Sequence, residues 1–133
     1  MEWSLSEEEL LPIRSEFVLA SRFGGLEPPI DTVFIHIKEH NAYLKSCQNV
    51  LKLGFQGKMC IHPDQVAVTN ETFTPSEEEV VWSKRVISEF ERAEAEGVAS
   101  IQVDGYFVDY PIVEKAQRVV DMSNLLNDLA SSK

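Results

Sequence analysis

The sequence lacks the features that would connect it with a membrane or a nucleic acid. No apolar run approaches the roughly 20 residues that a bilayer-spanning helix needs. Basic residues are few: 12 Lys and Arg stand against 22 Asp and Glu, which gives a formal net charge of -10. Phosphate backbones and acidic lipids repel a surface of that sign, so neither a nucleic acid nor a membrane is an expected partner.

Secretory features are missing as well. The N-terminus carries neither a basic segment nor an apolar core, so no signal peptide is predicted. The 2 cysteines, Cys47 and Cys60, do not form a Cys-x-x-Cys pair, which indicates reduced thiols in a cytoplasmic or organelle-matrix protein. We therefore expect a cytoplasmic protein. The spacing of His36, His40 and His62 is not that of metal ligands.

The first half of the chain predicts a helix followed by a strand–helix–strand unit. Ser4 and Glu7 have the spacing of a capping box at the start of the helix, and Gly24-Gly25 ends it. The predicted strands are residues 30–35 and 58–61, and the helix between them covers residues 39–53. Strands joined by a helix of this length run parallel to each other.

The second half predicts helices and one hairpin. A short helix is expected over residues 64–73 and a long one over residues 76–96. Several glutamates of the long helix lie in its first turn, where the helix dipole favours negative charge, and the others form a solvated face. Asp104-Gly105 between two apolar runs is a strong hairpin signal, and a last amphipathic helix follows Pro111.

Two parallel strands do not form a self-sufficient core, because a parallel sheet needs both faces and both edges covered. The composition, with 44% hydrophobic and 26% charged residues, is nevertheless that of a globular protein. We therefore expect part of a larger fold, or a chain that must assemble with others.

Four motifs follow one another along the chain, and together they carry a family resemblance. They are Gly54-Phe55-Gln56-Gly57-Lys58, Ile61-His62-Pro63-Asp64-Gln65, Phe73-Thr74-Pro75-Ser76 and Gly105-Tyr106-Phe107-Val108-Asp109-Tyr110-Pro111. Each motif is weak alone, but the ordered set resembles the C-terminal third of the citrate lyase beta-subunit and malyl-CoA lyase family, in the HpcH/HpaI aldolase superfamily. The resemblance extends from about residue 10 to about residue 125.

The resemblance implies an α/β fold, the C-terminal portion of a TIM-type (β/α)8 barrel in which the two strands are the last two of eight. Residues 1–75 would form the partial barrel segment. Residues 76–133 would form a C-terminal helix, hairpin and helix extension that reaches over a neighbouring subunit's active site.

The resemblance also implies an activity. Family members cleave or form a carbon–carbon bond in CoA esters of hydroxy acids, and they use Mg²⁺. Their metal- and substrate-binding arginine, glutamate and aspartate lie on earlier strands that nothing in this sequence matches. We therefore expect no metal site in this chain and no autonomous activity.

Asp109 is the candidate catalytic residue. By resemblance it would enter an adjacent protomer's site and act on the substrate as an acid or base, which an aldol-type cleavage requires. Its position shortly before Pro111 also fits an N-cap of the last helix. The two roles are compatible.

The candidate substrate-binding residues lie at the end of the second strand, where TIM barrels place functional groups. By resemblance they would contact the CoA ester, and they are Lys58, Met59, Cys60 and Ile61. His62 and Gln65 would support them from behind. Cys60 is not expected to be a nucleophile, because no activating base is evident beyond His62.

Two functions of different class stay open. In the first, the chain is a fragment or subunit of a lyase acting on acyl-CoA, with the other catalytic residues on another chain or a missing N-terminal half. In the second, it is a non-catalytic remnant or interaction module that retains an oligomerisation surface. Both predict a homo-oligomer, or a complex with the missing half, rather than a stable monomer.

Overall fold

The computed structural model describes residues 3–132 and divides the chain into two compact units, Met1–Phe73 and Thr74–Lys133. The first unit contains a short 3-10 helix (Glu8–Leu10), α1 (Leu11–Phe23), β1 (Ile30–Asp31), α2 (His40–Leu53), β2 (Gly57–Lys58) and α3 (Pro63–Phe73). The second contains α4 (Glu77–Ala95), β3 (Ile101–Val103), β4 (Tyr106–Val108) and α5 (Tyr110–Ser131). No helix within residues 3–132 combines the length and apolar character that crossing a membrane requires.

The first helix starts differently from the predicted capping box. The Glu7 N–H donates to Ser4 Oγ at 3.1 Å, as expected, but the carboxylate that accepts from the Ser4 N–H is that of Glu9, at 2.7 Å. Glu7 instead has a left-handed backbone, with φ 53°, and its side chain is buried. Half of the predicted capping box therefore forms, since Ser4 Oγ accepts from Glu7 but the reciprocal carboxylate is that of Glu9. The hydrogen bonds from Ser4 hold the pKa of Glu9 below its ordinary value.

β1 and β2 run parallel, as predicted, with α2 between them. Ile30 pairs with Gly57 and Asp31 pairs with Lys58. The Met59 N–H donates to the Asp31 carbonyl at 3.0 Å, which continues the ladder by one bond.

Each strand contains 2 residues, so both are shorter than the predicted ranges 30–35 and 58–61. The side chain of Gln65 lies beyond the point where the pairing ends. It donates to the Phe34 carbonyl and accepts from the Ile61 N–H, so a side-chain amide from α3 connects the segments that follow the two strands.

The helices of the first unit bury two apolar clusters. One contains Val18, Val50 and Phe55, and the other contains Phe34, Tyr43 and Cys47. Many other large apolar side chains of this unit stay exposed. They are Leu11, Ile13, Phe17, Leu19, Phe23, Leu26, Ile30, Ile35, Ile37, Leu44, Leu51, Met59, Ile61 and Val66. This much apolar surface is typical of a protein that binds a partner.

The second unit matches the predicted helix, hairpin and helix. Ser76 and Glu79 form a capping box on α4. The turn between β3 and β4 has positive φ at Asp104 (50°) and Gly105 (83°), the conformation that two-residue hairpins favour. Its core contains side chains from both helices and both strands, namely Val86, Phe90, Val103, Val108 and Ala116.

Candidate functional site

The segment after β2 contains the residues predicted to contact a substrate, and it presents them unequally. The side chain of Lys58 is completely buried. The side chains of Met59 and Ile61 are about half exposed, with relative accessibilities of 51% and 53%, and Cys60 is also exposed. A ligand in this region can therefore touch Met59, Cys60 and Ile61, whereas it can reach Lys58 only through its backbone.

Gln65 contacts this segment from α3, whereas His62 follows it directly at the start of α3. The Gln65 side chain, only 3% exposed, donates from Nε2 to the Phe34 carbonyl at 3.0 Å and accepts from the Ile61 N–H at 2.9 Å. His62 Nδ1 accepts from the Asp64 N–H at 3.3 Å, which stabilises the turn into α3. Gln65 therefore connects the segments that follow the two strands.

A buried network of charges lies in the same unit, and sequence reasoning did not find it. Arg14 on α1 donates to both carboxylate oxygens of Asp31, from Nε at 2.9 Å and from Nη2 at 2.7 Å, and Nη2 also donates to Glu7 at 3.0 Å. Lys58 Nζ contacts Asp31, and Ser46 Oγ donates to Glu7. The only signal in the sequence was one charged residue in each predicted strand, Asp31 in the first and Lys58 in the second.

The charges of this network compensate each other. Two cations, Arg14 and Lys58, face two carboxylates, Glu7 and Asp31, and all four side chains are at most 8% exposed. Burial lowers the pKa of Arg14, but its hydrogen bonds to Asp31 and the nearby carboxylate charges outweigh burial and raise that pKa above its ordinary value. The network therefore stabilises the contact of α1 with β1 and β2.

Cys60 has polar neighbours but no base among them. Its Sγ lies 3.3 Å from Thr69 Oγ1 and 3.5 Å from the Tyr43 hydroxyl, and these two oxygens are 2.6 Å apart. Cys47 on α2 is fully buried, and burial raises the pKa of its thiol. Neither cysteine has the electropositive surroundings that typically activate a thiolate.

Asp109 lies in the second unit, at the junction of β4 and α5. It is the N-cap of α5, and its Oδ1 accepts from the Ile112 N–H at 3.4 Å. The following residue, Tyr110, donates from its hydroxyl to Glu94 at 2.7 Å, and this hydrogen bond raises the pKa of Tyr110. The N-cap interpretation of Asp109 is confirmed, and its predicted catalytic role stays a prediction.

Comparisons with known proteins point to one family. The chain is 34% identical over 126 residues to citrate lyase subunit beta of Leuconostoc mesenteroides subsp. cremoris, which is 95% of this chain and 41% of that protein. It is 29% identical over 121 residues to mitochondrial citramalyl-CoA lyase of Rattus norvegicus, covering 91% of this chain and 36% of that protein. The chain belongs to the citrate lyase beta-subunit-like family. No protein-family model matches it.

The citrate lyase beta-like fold is shared with a solved structure. The CitE protein of Mycobacterium tuberculosis, crystallised with magnesium, acetoacetate and coenzyme A, superposes with a TM-score of 0.71 at 23% identity. The match covers 88% of this chain and 42% of that protein. The chain thus spans about two fifths of the length of the citrate lyase beta subunit and of CitE.

Within the described residues, the buried carboxylates of this citrate lyase beta-like chain are poorly suited to bind a divalent metal. Within residues 3–132, no group of three or more His, Cys, Asp or Glu side chains is arranged to hold a metal ion. The two buried carboxylates, Glu7 and Asp31, are neutralised by Arg14 and Lys58, and a hard cation such as Mg²⁺ would have to compete with those cations for the same oxygens. No chemical step in this chain is therefore assigned to Mg²⁺.

Proposed function

We propose that this chain is a fragment or subunit of a CoA-ester lyase that cleaves a carbon–carbon bond in a hydroxyacyl-CoA, and that it acts only in an assembly. The observation that carries the proposal is the 34% identity to citrate lyase subunit beta across 95% of the chain. The coenzyme A, acetoacetate and magnesium bound to the CitE protein support the same class of substrate and the use of magnesium by the proposed assembly.

In the proposed assembly, β1 and β2 are the last two strands of a TIM-type barrel. The parallel pairing of these strands and the connecting helix α2 support this placement. A barrel would cover the unpaired strand edges and much of the exposed apolar surface of the first unit. The partner is then either a second copy of the chain or a polypeptide that contains the other strands.

The proposed substrate contacts come from the segment after β2, since the open ends of barrel strands are where TIM-barrel enzymes bind their ligands. The half-exposed side chains of Met59 and Ile61 supply apolar surface for the acyl or pantetheine portion of a CoA ester. Cys60 and the backbone of Lys58 complete this surface. His62 and Gln65 support it without direct contact.

Asp109 is the proposed proton-transfer group. A retro-aldol cleavage removes a proton from the hydroxyl of the substrate and returns one to the enolate carbon of the ester product. The Asp109 carboxylate accepts a hydrogen bond from the Ile112 N–H through one oxygen, and the side chain is only partly buried, so the other oxygen can meet a substrate. The neighbouring hairpin turn and Pro111 hold it in a defined position.

The test is Asp109→Asn in the chain assembled with the missing barrel strands, with cleavage of malyl-CoA as the measured rate. Asn also caps helices well, so folding and the N-cap should be retained. The rate should fall by on the order of 10²–10⁴-fold, which is the usual contribution of a general acid or base. The isolated chain should be inactive with either residue.

Asp104→Asn is the matched control, because it makes the same chemical change in the same hairpin. Asn tolerates the left-handed conformation of Asp104, and the exposed ion pair with Arg85 that it removes contributes about 1 kcal/mol or less. Its rate should stay close to that of the parent. Equal rates for Asp109→Asn and the parent assembly would leave Asp109 as a helix cap only.

Two observations favour the second function, a non-catalytic interaction module. Lys58 uses its side chain in a buried ion pair, and Asp109 has a structural role as an N-cap. In that case the assembly would form through the same apolar surface but bind no CoA ester. Equilibrium binding of coenzyme A to the assembly separates the two functions.

A further inference from the structure

We infer that Gln65 is a positioning residue: its side-chain amide sets the distance between the two segments that follow β1 and β2. The effect of Gln65 on ligand binding rests on the proposed function, because one of those segments contains the proposed substrate contacts Met59 and Ile61.

The register of the strands shows what Gln65 connects. Phe34 and Ile61 lie equally far beyond the paired residues Asp31 and Lys58. If the ladder continued, the Ile61 N–H would face the Val33 carbonyl, and the Phe34 carbonyl would point away from β2, so Phe34 and Ile61 would not bond to each other directly. In the structure, the Phe34 carbonyl accepts from Gln65 Nε2 and the Ile61 N–H donates to Gln65 Oε1, so one carboxamide connects two segments that are not paired.

Gln65 is suited to this role because it is held firmly from its own helix. Its backbone N–H donates to the His62 carbonyl at 3.0 Å, and its carbonyl accepts from Thr69 Oγ1 at 2.9 Å. The side chain is only 3% exposed, so it is shielded from competing water. A carboxamide offers a donor and an acceptor at the same end, whereas an ionised carboxylate of the same length offers acceptors only.

The consequence is a division of roles around the strand ends. Gln65 is buried and does not itself meet a ligand, whereas Met59 and Ile61 are half exposed on the segment that it holds. A change at Gln65 should therefore move the proposed contact surface and alter ligand binding without removing any ligand-contacting group.

The first experiment measures the bridge by NMR in the full chain, in the oligomeric state in which it is purified. Gln65→Met retains the length of the side chain but forms neither hydrogen bond, so the Ile61 amide should exchange with solvent on the order of tenfold faster. Gln48→Glu, at an exposed position on α2, is a control that should leave the Ile61 amide unchanged. Unchanged Ile61 exchange in Gln65→Met would overturn the inference.

Gln65→Glu adds a reversible test within one folded variant. The introduced carboxyl is buried beside the Phe34 carbonyl, which raises its pKa above the usual value of about 4.3. Below that raised pKa the protonated carboxyl donates to Phe34, and the carbonyl carbon shift of Phe34 should return to its parent value. Above it, the carboxylate cannot donate, and the shift should depart from the parent value.

The parent chain, measured over the same pH range, corrects for the titratable groups nearest the bridge. These are His36, Tyr43, Cys47, Cys60, His62 and Asp64. A Phe34 shift in Gln65→Glu that follows the parent at every pH would also overturn the inference, because the carboxamide donor would then be dispensable.

The functional consequence is measured separately, as the dissociation constant for coenzyme A of the assembly with the missing strands. Gln65→Met should weaken binding on the order of tenfold, and Gln48→Glu should not. If the parent assembly binds coenzyme A and Gln65→Met binds it equally well, Gln65 does not position the contact surface. If the parent assembly does not bind coenzyme A, the proposed function fails, while the NMR results still decide whether Gln65 forms the bridge.

Discussion

Asp31 is the residue on which the buried charges of the first unit depend. It accepts from Arg14 through both carboxylate oxygens and also contacts Lys58. Asp31→Asn would leave two buried cations against the single carboxylate of Glu7. We expect the free energy of unfolding to fall by about 3–5 kcal/mol, which is the usual cost of breaking a buried ion pair on one side.

Chemical denaturation of the parent and of Asp31→Asn measures this loss. Glu16→Gln is the matched control: it removes one carboxylate from the exposed side of α1, where a substitution should change stability by less than about 0.5 kcal/mol. A loss below about 1 kcal/mol for Asp31→Asn would mean that the chain repacks around an uncompensated charge.

The substrate contact predicted for Lys58 stays a prediction. The resemblance suggested that the backbone at this strand end contacts the CoA ester, and the structure shows that the side chain points into the ion-pair network. The burial of that side chain was not predicted from the sequence. A strand of 2 residues is too short for sequence alternation to reveal this.

At the scale of single elements, hydrogen bonds between neighbouring residues determine where α4 begins. Ser76 Oγ accepts from the Glu79 N–H at 3.2 Å, and the Glu79 carboxylate accepts from the Ser76 N–H at 2.8 Å. Ser76→Ala removes the hydroxyl that satisfies a free backbone donor. We expect a loss of about 1 kcal/mol in stability, detected as a lower unfolding midpoint.

Ser88→Ala is the control for this prediction, since it makes the same change at an exposed position inside the same helix. Alanine is the better helix former there, so the midpoint should stay constant or rise slightly. Equal losses for the two variants would show that the capping hydrogen bonds contribute nothing measurable.

Elements differ in how well local sequence determines them. The helix over residues 76–96 and the Asp104-Gly105 turn were predicted closely, because capping and positive φ depend on adjacent residues. The ends of β1 and β2 were not, because the segments that follow these strands are held by a residue of another element, Gln65 of α3. The role of Glu7 was missed for the same reason: its partners Arg14 and Ser46 lie on two different helices.

At the scale of the whole molecule, the exposed apolar surface of the first unit predicts association. An apolar cleft of about 260 Å³ in this unit is lined by residues that include Ile13, Phe17 and Met59, all at least 41% exposed. We expect the isolated chain to sediment as an oligomer or to aggregate at micromolar concentration, because such surface is unfavourable in water.

Phe17→Gln should increase the monomer fraction, because it removes apolar surface from that cleft. Leu129→Gln is the comparison, with a similar loss of exposed apolar surface near the end of α5, and it should have a smaller effect. Sedimentation of the parent as a stable compact monomer would contradict the requirement for assembly, and with it one support of the proposed function.

The sequence by itself determined the order of the elements, the parallel direction of β1 and β2, the hairpin turn and the family. These features depend on local chemistry, such as capping, turn conformation and the spacing of apolar residues, or on motifs that can be read in order. Only the tertiary structure decided where the strands stop pairing and which charged side chains are buried together. Those outcomes depend on contacts between residues far apart in the chain, such as Gln65 with Phe34 and Arg14 with Asp31, and no local pattern encodes which distant partner will be near.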